Sequence, residues 1–280
     1  MWRVERPDMD AGETFIVCIS KVKRPPMKLM LTAIRPDVEV AALDYLDKAE
    51  NGRLHLIPQN NLIGSVPGSE MVKTYVGRMA KKGQPGRTIY DQIKQLPKDD
   101  RCPFCDHRNV STLDHILPKA HYPIFAVTPI NLVGCCGDCN DAKQTVFPTS
   151  PYDTVLHPYF DDATDQQWLG ANVVEQAPAA LTFHANEVSE WNADLNARVA
   201  YQFNLLELGK LYRSQAACVI ADIRYNLQMH FNSGGPDAVR RELELQWESR
   251  KANRINSWQT ATFEALTESD WFCDGGFAQS

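Results

Sequence analysis

Two Cys-x-x-Cys pairs, Cys102-Pro-Phe-Cys105 and Cys136-Gly-Asp-Cys139, stand thirty residues apart, and no other feature limits the possible folds so strongly. Each pair offers two thiols from one tight turn. Brought together, the two turns supply the four soft ligands that structural zinc takes in a tetrahedron. Such a site is closed by protein ligands, so its metal holds structure and performs no chemistry. The intervening segment is then stapled at both ends and needs no large core of its own. Four unrelated buried cysteines would require both spacings to coincide. Cys135 has the wrong spacing to Cys139 for such a turn and is left out of the set, while Cys18, Cys218 and Cys273 are scattered and read as small apolar packing residues. The charged start, MWRVERPDMDAGE, is unlike a secretory signal, and no window nears the run of about 18 apolar residues that a membrane span needs. The expectation is a cytoplasmic chain, where close cysteine pairs mean metal rather than disulfides.

A net charge of −6 argues against nucleic acid as a partner until its placement is considered. Over residues 73–101 eight basic side chains face three acidic ones; over 151–200 one basic side chain faces eight acidic ones. The basic stretch leads into the first cysteine pair. A basic run alone is a solvated face, but beside a metal motif it is placed for phosphate contact.

Residues 14–20 (TFIVCIS) read as a short strand. Asp37 is placed to cap a helix to about Glu50, residues 58–68 read as loop, and short helices follow near 70–81 and 88–96, split by KKGQPGR. Proline-rich, acidic connections fill 147–192. Leu208, Tyr212, Val219, Ile223 and Leu227 keep helical spacing, Gly234-Gly235-Pro236 interrupts, and a second helix is expected to carry Val239, Leu243, Trp247 and Trp258 inward. Two tryptophans on one such face exceed what a small core needs, so assembly is assigned to the helical flanks. The tail DGGFAQS reads as frayed.

Between and after the cysteine pairs lie Leu113-Asp114-His115-Ile116-Leu117-Pro118-Lys119, Pro129-Ile130-Asn131-Leu132-Val133 and Cys139-Asn140-Asp141-Ala142-Lys143. Residues 110–116 read as a strand ending in an acid and a histidine, Asn131 precedes a second strand, and Asn140 falls in the first turn of a helix. Phosphodiester hydrolysis needs an activated water and charge stabilisation at the phosphate. His115 is a base of suitable range, and Asp114 with the Asn140 amide oxygen is a donor set for Mg²⁺ or Mn²⁺. Lys143, three residues past Asn140, either reaches a phosphate or lies on a solvated helix face.

These segments resemble the HNH endonuclease family in its zinc-containing ββα-metal form, over residues 101 to about 147, with fainter echoes at Tyr90-Asp91-Gln92-Ile93 and at Leu156-His157-Pro158-Tyr159-Phe160-Asp161. The resemblance implies that His115 is the general base and that Asp114 binds the catalytic metal. It implies that Asn131 orients the loop and the base, and that Asn140, standing where the last histidine of the pattern falls, is a metal ligand. His157 then lies near the site, or is a buried, satisfied histidine. The expected architecture is α+β, with a ββα core stapled by Cys102, Cys105, Cys136 and Cys139 around zinc (101–165). A mostly helical region with one strand (1–100) precedes it and a helical region (166–280) follows. The layout also resembles the HNH subunits of bacterial anti-phage ATPase–nuclease pairs of the Septu and retron-associated type. That resemblance implies an ABC- or SMC-like ATPase partner besides DNA or RNA. A non-catalytic zinc module that binds nucleic acid or protein is the competing class.

Overall fold

In the computed structural model, which describes residues 3–279, a helix replaces the strand expected over 14–20. Helix α1 spans Ala11–Ile19, and the Asp10 carboxylate caps it by accepting the Glu13 N–H at 2.8 Å. Phe15, Cys18 and Ile19 fall at helical spacing and are all buried. One cap and one buried face override the strand propensity of a β-branched, aromatic run. Helix α2 covers Pro25–Ala33 and α3 covers Arg35–Glu50. Helix α3 therefore starts before Asp37: Pro36 occupies the first turn, where its missing N–H costs nothing, and Asp37 lies within that turn rather than capping it.

The stretch expected as loop contains a small antiparallel ladder, β1 (Leu62–Ile63) with β2 (Val66–Pro67). Helix α4 (Gly68–Thr74) continues through one wide π-turn at Tyr75–Met79, and α5 covers Arg87–Lys94. Strands β3 (Thr112–His115) and β4 (Leu132–Cys135) pair antiparallel, with Asp114 opposite Val133 and His115 opposite Leu132. Helix α6 (Gly137–Lys143) follows at once and packs on β3. Gly134 shows how tightly this ladder is backed. A Cβ there would meet the Lys94 carbonyl oxygen at 3.0 Å, so the end of α5 lies directly against β4.

The chain divides into two compact units, 1–162 and 163–280. Phe15, Leu31, Val38, Met79, Leu113 and Leu132 belong to one buried cluster. The N-terminal helices and the cysteine-rich segment thus share a core, and no boundary falls at residue 100.

In the second unit, residues expected as connections form a hairpin, β5 (Leu169–Val174) with β6 (Ala180–Ala185). Helix α7 covers Ala193–Leu205, and the helical stretch α8 (Leu208–Asn253) is broken at Gly234 and Gly235, the latter at φ +65°. Trp258 does not continue the helix that carries Trp247. Ser257 caps a new one, α9 (Trp258–Glu268), so the two tryptophans share no helical face. Helix α10 (Asp270–Cys273) follows. As far as Phe277 the tail is packed rather than frayed: Phe277 is buried, its ring 5.9 Å from Phe231 and 6.0 Å from Phe272, while Ala278 and Gln279 are exposed and Ser280 lies outside the described residues. The architecture is mixed α and β, helical for the most part with small two-stranded sheets. Among the described residues no helix is long and apolar enough to cross a membrane.

Candidate functional site

The Cys102, Cys105, Cys136 and Cys139 sulfurs all lie within 4.8 Å of one another, and the Cys105 and Cys136 sulfurs are 3.9 Å apart. Tetrahedral zinc with bonds of about 2.3 Å needs sulfurs roughly 3.8 Å apart. A disulfide needs about 2.05 Å, and all these cysteines are free. The Arg108 N–H points at Cys105 Sγ (3.5 Å) and the Cys139 N–H at Cys136 Sγ (3.4 Å), the kind of backbone donation that steadies metal-bound thiolates. The four side chains could hold one metal ion. Cys135 is buried in β4 opposite Thr112 and is not part of the set.

Beside this cluster a cavity of about 500 Å³ is lined by Asp114, His115, Lys119, Asn140 and Asp141, among others. A somewhat larger recess, about 590 Å³, lies at Arg3, Arg6, Glu50 and Tyr159. Its arginines already pair with Asp162 and Glu50.

The β3 ladder delivers Asp114 and His115 to the smaller cavity. His115 is 3% exposed, and its Nε2 lies 2.9 Å from the Ala126 carbonyl oxygen. A carbonyl only accepts, so the proton sits on Nε2 and Nδ1 keeps its lone pair. The ring lies edge-on to Tyr75, centroids 4.4 Å apart. Burial, with Lys119 nearby, lowers the imidazole to about 3, so it is neutral near pH 7. Asp114 Oδ1 accepts the His115 N–H at 2.8 Å. Its buried Oδ2 has no hydrogen-bond partner; the Lys143 ammonium stands 3.1 Å away, near enough for an ion pair but off the line of a hydrogen bond. Burial raises this carboxyl above its usual range and Lys143 opposes the rise. Asn140 is half-buried on α6 at the cavity wall.

Lys143 is neither on a solvated face nor open to a phosphate. It is 1% exposed and donates to the His115 carbonyl oxygen at 2.6 Å while pairing with Asp114. His157 is equally enclosed: its Nε2 lies 3.0 Å from the Ile130 carbonyl and 3.1 Å from Tyr45 Oη, while Nδ1 accepts the Tyr159 N–H. It does not line the cavity, and neither side chain presents surface to a strand. Asn131, fully buried, spans the β3–β4 loop: Oδ1 accepts the Leu117 N–H at 2.8 Å, and Nδ2 donates to the Leu117 and Phe125 carbonyls at 3.0 and 3.3 Å. The structure therefore brings Asp114, His115 and Asn140 to one cavity, braces them with Asn131 and Lys143, and leaves His157 apart. Lys119 and Tyr75, which no motif singles out, complete the wall and the packing around His115. Nothing in their spacing signals it, because the contacts join segments about forty residues apart.

Compared with known proteins, the chain matches no family model and no solved structure. It is similar to Protein ea31 of Escherichia phage lambda, 29% identical over 234 residues, which is 79% of each chain.

Proposed function

We propose that this protein is a metal-dependent HNH endonuclease that hydrolyses phosphodiester bonds of DNA or RNA around a structural zinc. One observation carries the reading. An antiparallel pair followed by a helix sets a neutral buried histidine, an aspartate and an asparagine around one cavity, with four thiols at sulfur spacings suited to zinc beside them. A pure binding module has no use for a buried Asp114–His115 pair, which costs desolvation.

Asp114 and Asn140 suit Mg²⁺ or Mn²⁺: both offer hard oxygen donors, the cavity has room for water, and Asp114 Oδ2 is a buried acceptor with no hydrogen bond. Held there, the ion supplies positive charge to the phosphate and to the leaving oxygen. His115 does the proton work, as a neutral base that burial and Lys119 weaken and the hydrogen bond to the Ala126 carbonyl partly restores. Its Nδ1 lone pair takes a proton from water as the water oxygen bonds to phosphorus and the P–O bond to the leaving group breaks. The Ala126 carbonyl, accepting from Nε2, steadies the imidazolium that results. Asn131 fixes the loop bearing that carbonyl's neighbour Phe125, which keeps the histidine from swinging.

The biological role proposed with this chemistry is that of an anti-phage effector working with an ABC- or SMC-like ATPase. Charge supports a division of labour. Residues 1–162 carry 20 basic and 20 acidic side chains, whereas 163–280 carry 9 and 15, so the second unit suits protein contact better than phosphate. The competing reading, a non-catalytic zinc module, draws on Lys143, which already neutralises Asp114. Incubating the purified protein with plasmid, single-stranded DNA and total RNA, with and without Mg²⁺, separates them. Mg²⁺-dependent cleavage of any of the three supports the nuclease; binding without cleavage under every condition supports the module.

A further inference from the structure

Lys143 is spent on Asp114 and the His115 carbonyl, so the phosphate contact expected of it needs another owner. Among the described residues the cavity wall carries one cation, Lys119, beside the acidic Asp114 and Asp141. Its ammonium lies 5.3 Å from the centroid of the Tyr75 ring, and Tyr75 in turn packs edge-on to His115. Among the described residues Lys119 makes no hydrogen bond or ion pair, so three N–H donors remain for a ligand. Half-burial weakens its hydration, and the lysine responds by holding its proton less tightly, with Asp114 favouring the charged form. The aromatic face offsets part of that cost and fixes where the head group points. Asn131 clamps the backbone at Leu117, two residues away, so the stem springs from a rigid base.

We propose that Lys119 is the side chain that binds a non-bridging oxygen of the scissile phosphodiester, beside the His115 base. The assignment rests on the nuclease reading above. An anionic phosphate fits this position for three reasons. With Asp114 offset by Lys143, Lys119 is the positive charge of a wall whose other charged side chain is Asp141. The Lys119 donors are free. Its ammonium and the His115 ring both pack against Tyr75, which holds the two on one cavity.

The test uses the full zinc-loaded chain, with Lys119→Met and Lys119→Arg beside the parent. Two readouts are taken on one labelled oligonucleotide of the type the parent cuts, or single-stranded DNA if it cuts none. The first is the single-turnover cleavage rate in Mg²⁺. The second is binding by fluorescence anisotropy without added divalent ion, as a function of KCl. Removing a donor aimed at developing charge costs about 10²–10³ in rate, and losing one phosphate contact lowers the slope of log K against log salt by roughly 0.7–0.9. Lys119→Met should show both losses, and Lys119→Arg should recover the slope and most of the rate. Zinc content equal to the parent's shows that the variants are folded. If Lys119→Met cleaves within about threefold of the parent with an unchanged salt slope, Lys119 has no such role and the nuclease reading stands. A parent that neither cleaves nor binds overturns both. A parent that binds without cleaving overturns the nuclease reading and, with it, a scissile phosphate for Lys119.

Discussion

Replacing Lys143 by methionine keeps most of the stem and deletes the charge, which makes it a sharp probe of how the site is held. The Lys143 and Asp114 side chains are 2% and 4% exposed. Without the ammonium, Asp114 remains in the interior with the His115 N–H as its hydrogen-bond donor, and the His115 carbonyl also loses a donor. Breaking a buried pair from one side costs about 3–5 kcal/mol. For a unit of this size each kcal/mol corresponds to roughly 2–4 °C, so the expected fall is on the order of 10 °C. Asp114→Asn in the same background removes the stranded charge and should return on the order of 2 kcal/mol as a coupling between the two sites. Amide hydrogen exchange read by mass spectrometry, without added Mg²⁺, gives the stability of residues 1–162 apart from that of 163–280. A cost below about 1 kcal/mol for Lys143→Met, with strictly additive effects in the double variant, would refute the idea that Lys143 is the fixed counter-ion of Asp114.

Elemental analysis of protein made without added metal should find about one zinc per chain, lost in Cys102→Ser and kept in Cys135→Ser; zinc loss in Cys135→Ser alone would reassign the ligand set. Asn131→Ala removes three buried hydrogen bonds and should cost about 2–4 kcal/mol, with exchange accelerated first at amides of residues 117–125; unchanged exchange there would remove Asn131 from the bracing of the loop. Tyr45→Phe deletes the hydroxyl beside His157 and should lower stability by about 1 kcal/mol with zinc content and cleavage unaltered, whereas a large loss of cleavage would return His157 to the site.

The cysteine spacings and the segment after them were legible because each is local: a tight turn, a strand ending in Asp114 and His115, and a helix starting at the second turn. Elements set by partners were not. Residues 14–20 carry strand-forming residues, yet the buried spacing of Phe15, Cys18 and Ile19 decides for helix once α3 is there to cover it. The β5–β6 hairpin hid in a stretch whose prolines and acids suggested only connection, although Leu181 and Phe183 alternate inward. Lys143 illustrates the limit most clearly. Its helical position is readable, but its partner is 29 residues back along the chain, and only packing of α6 on β3 joins them. The same holds for Lys119 over Tyr75.

One comparison bears most directly on His115 as the base. Parent and His115→Ala protein, matched for zinc content and for exchange protection over residues 1–162, are assayed across a Mg²⁺ and Mn²⁺ series on the substrate the parent cuts. A positioned base contributes about 10²–10⁴ in rate. His115→Ala should therefore be near silent at every metal concentration, while Asp114→Ala and Asn140→Ala regain part of their activity as Mn²⁺ rises. Cleavage by His115→Ala comparable to the parent's would contradict the assignment, and the HNH reading of the motif would go with it.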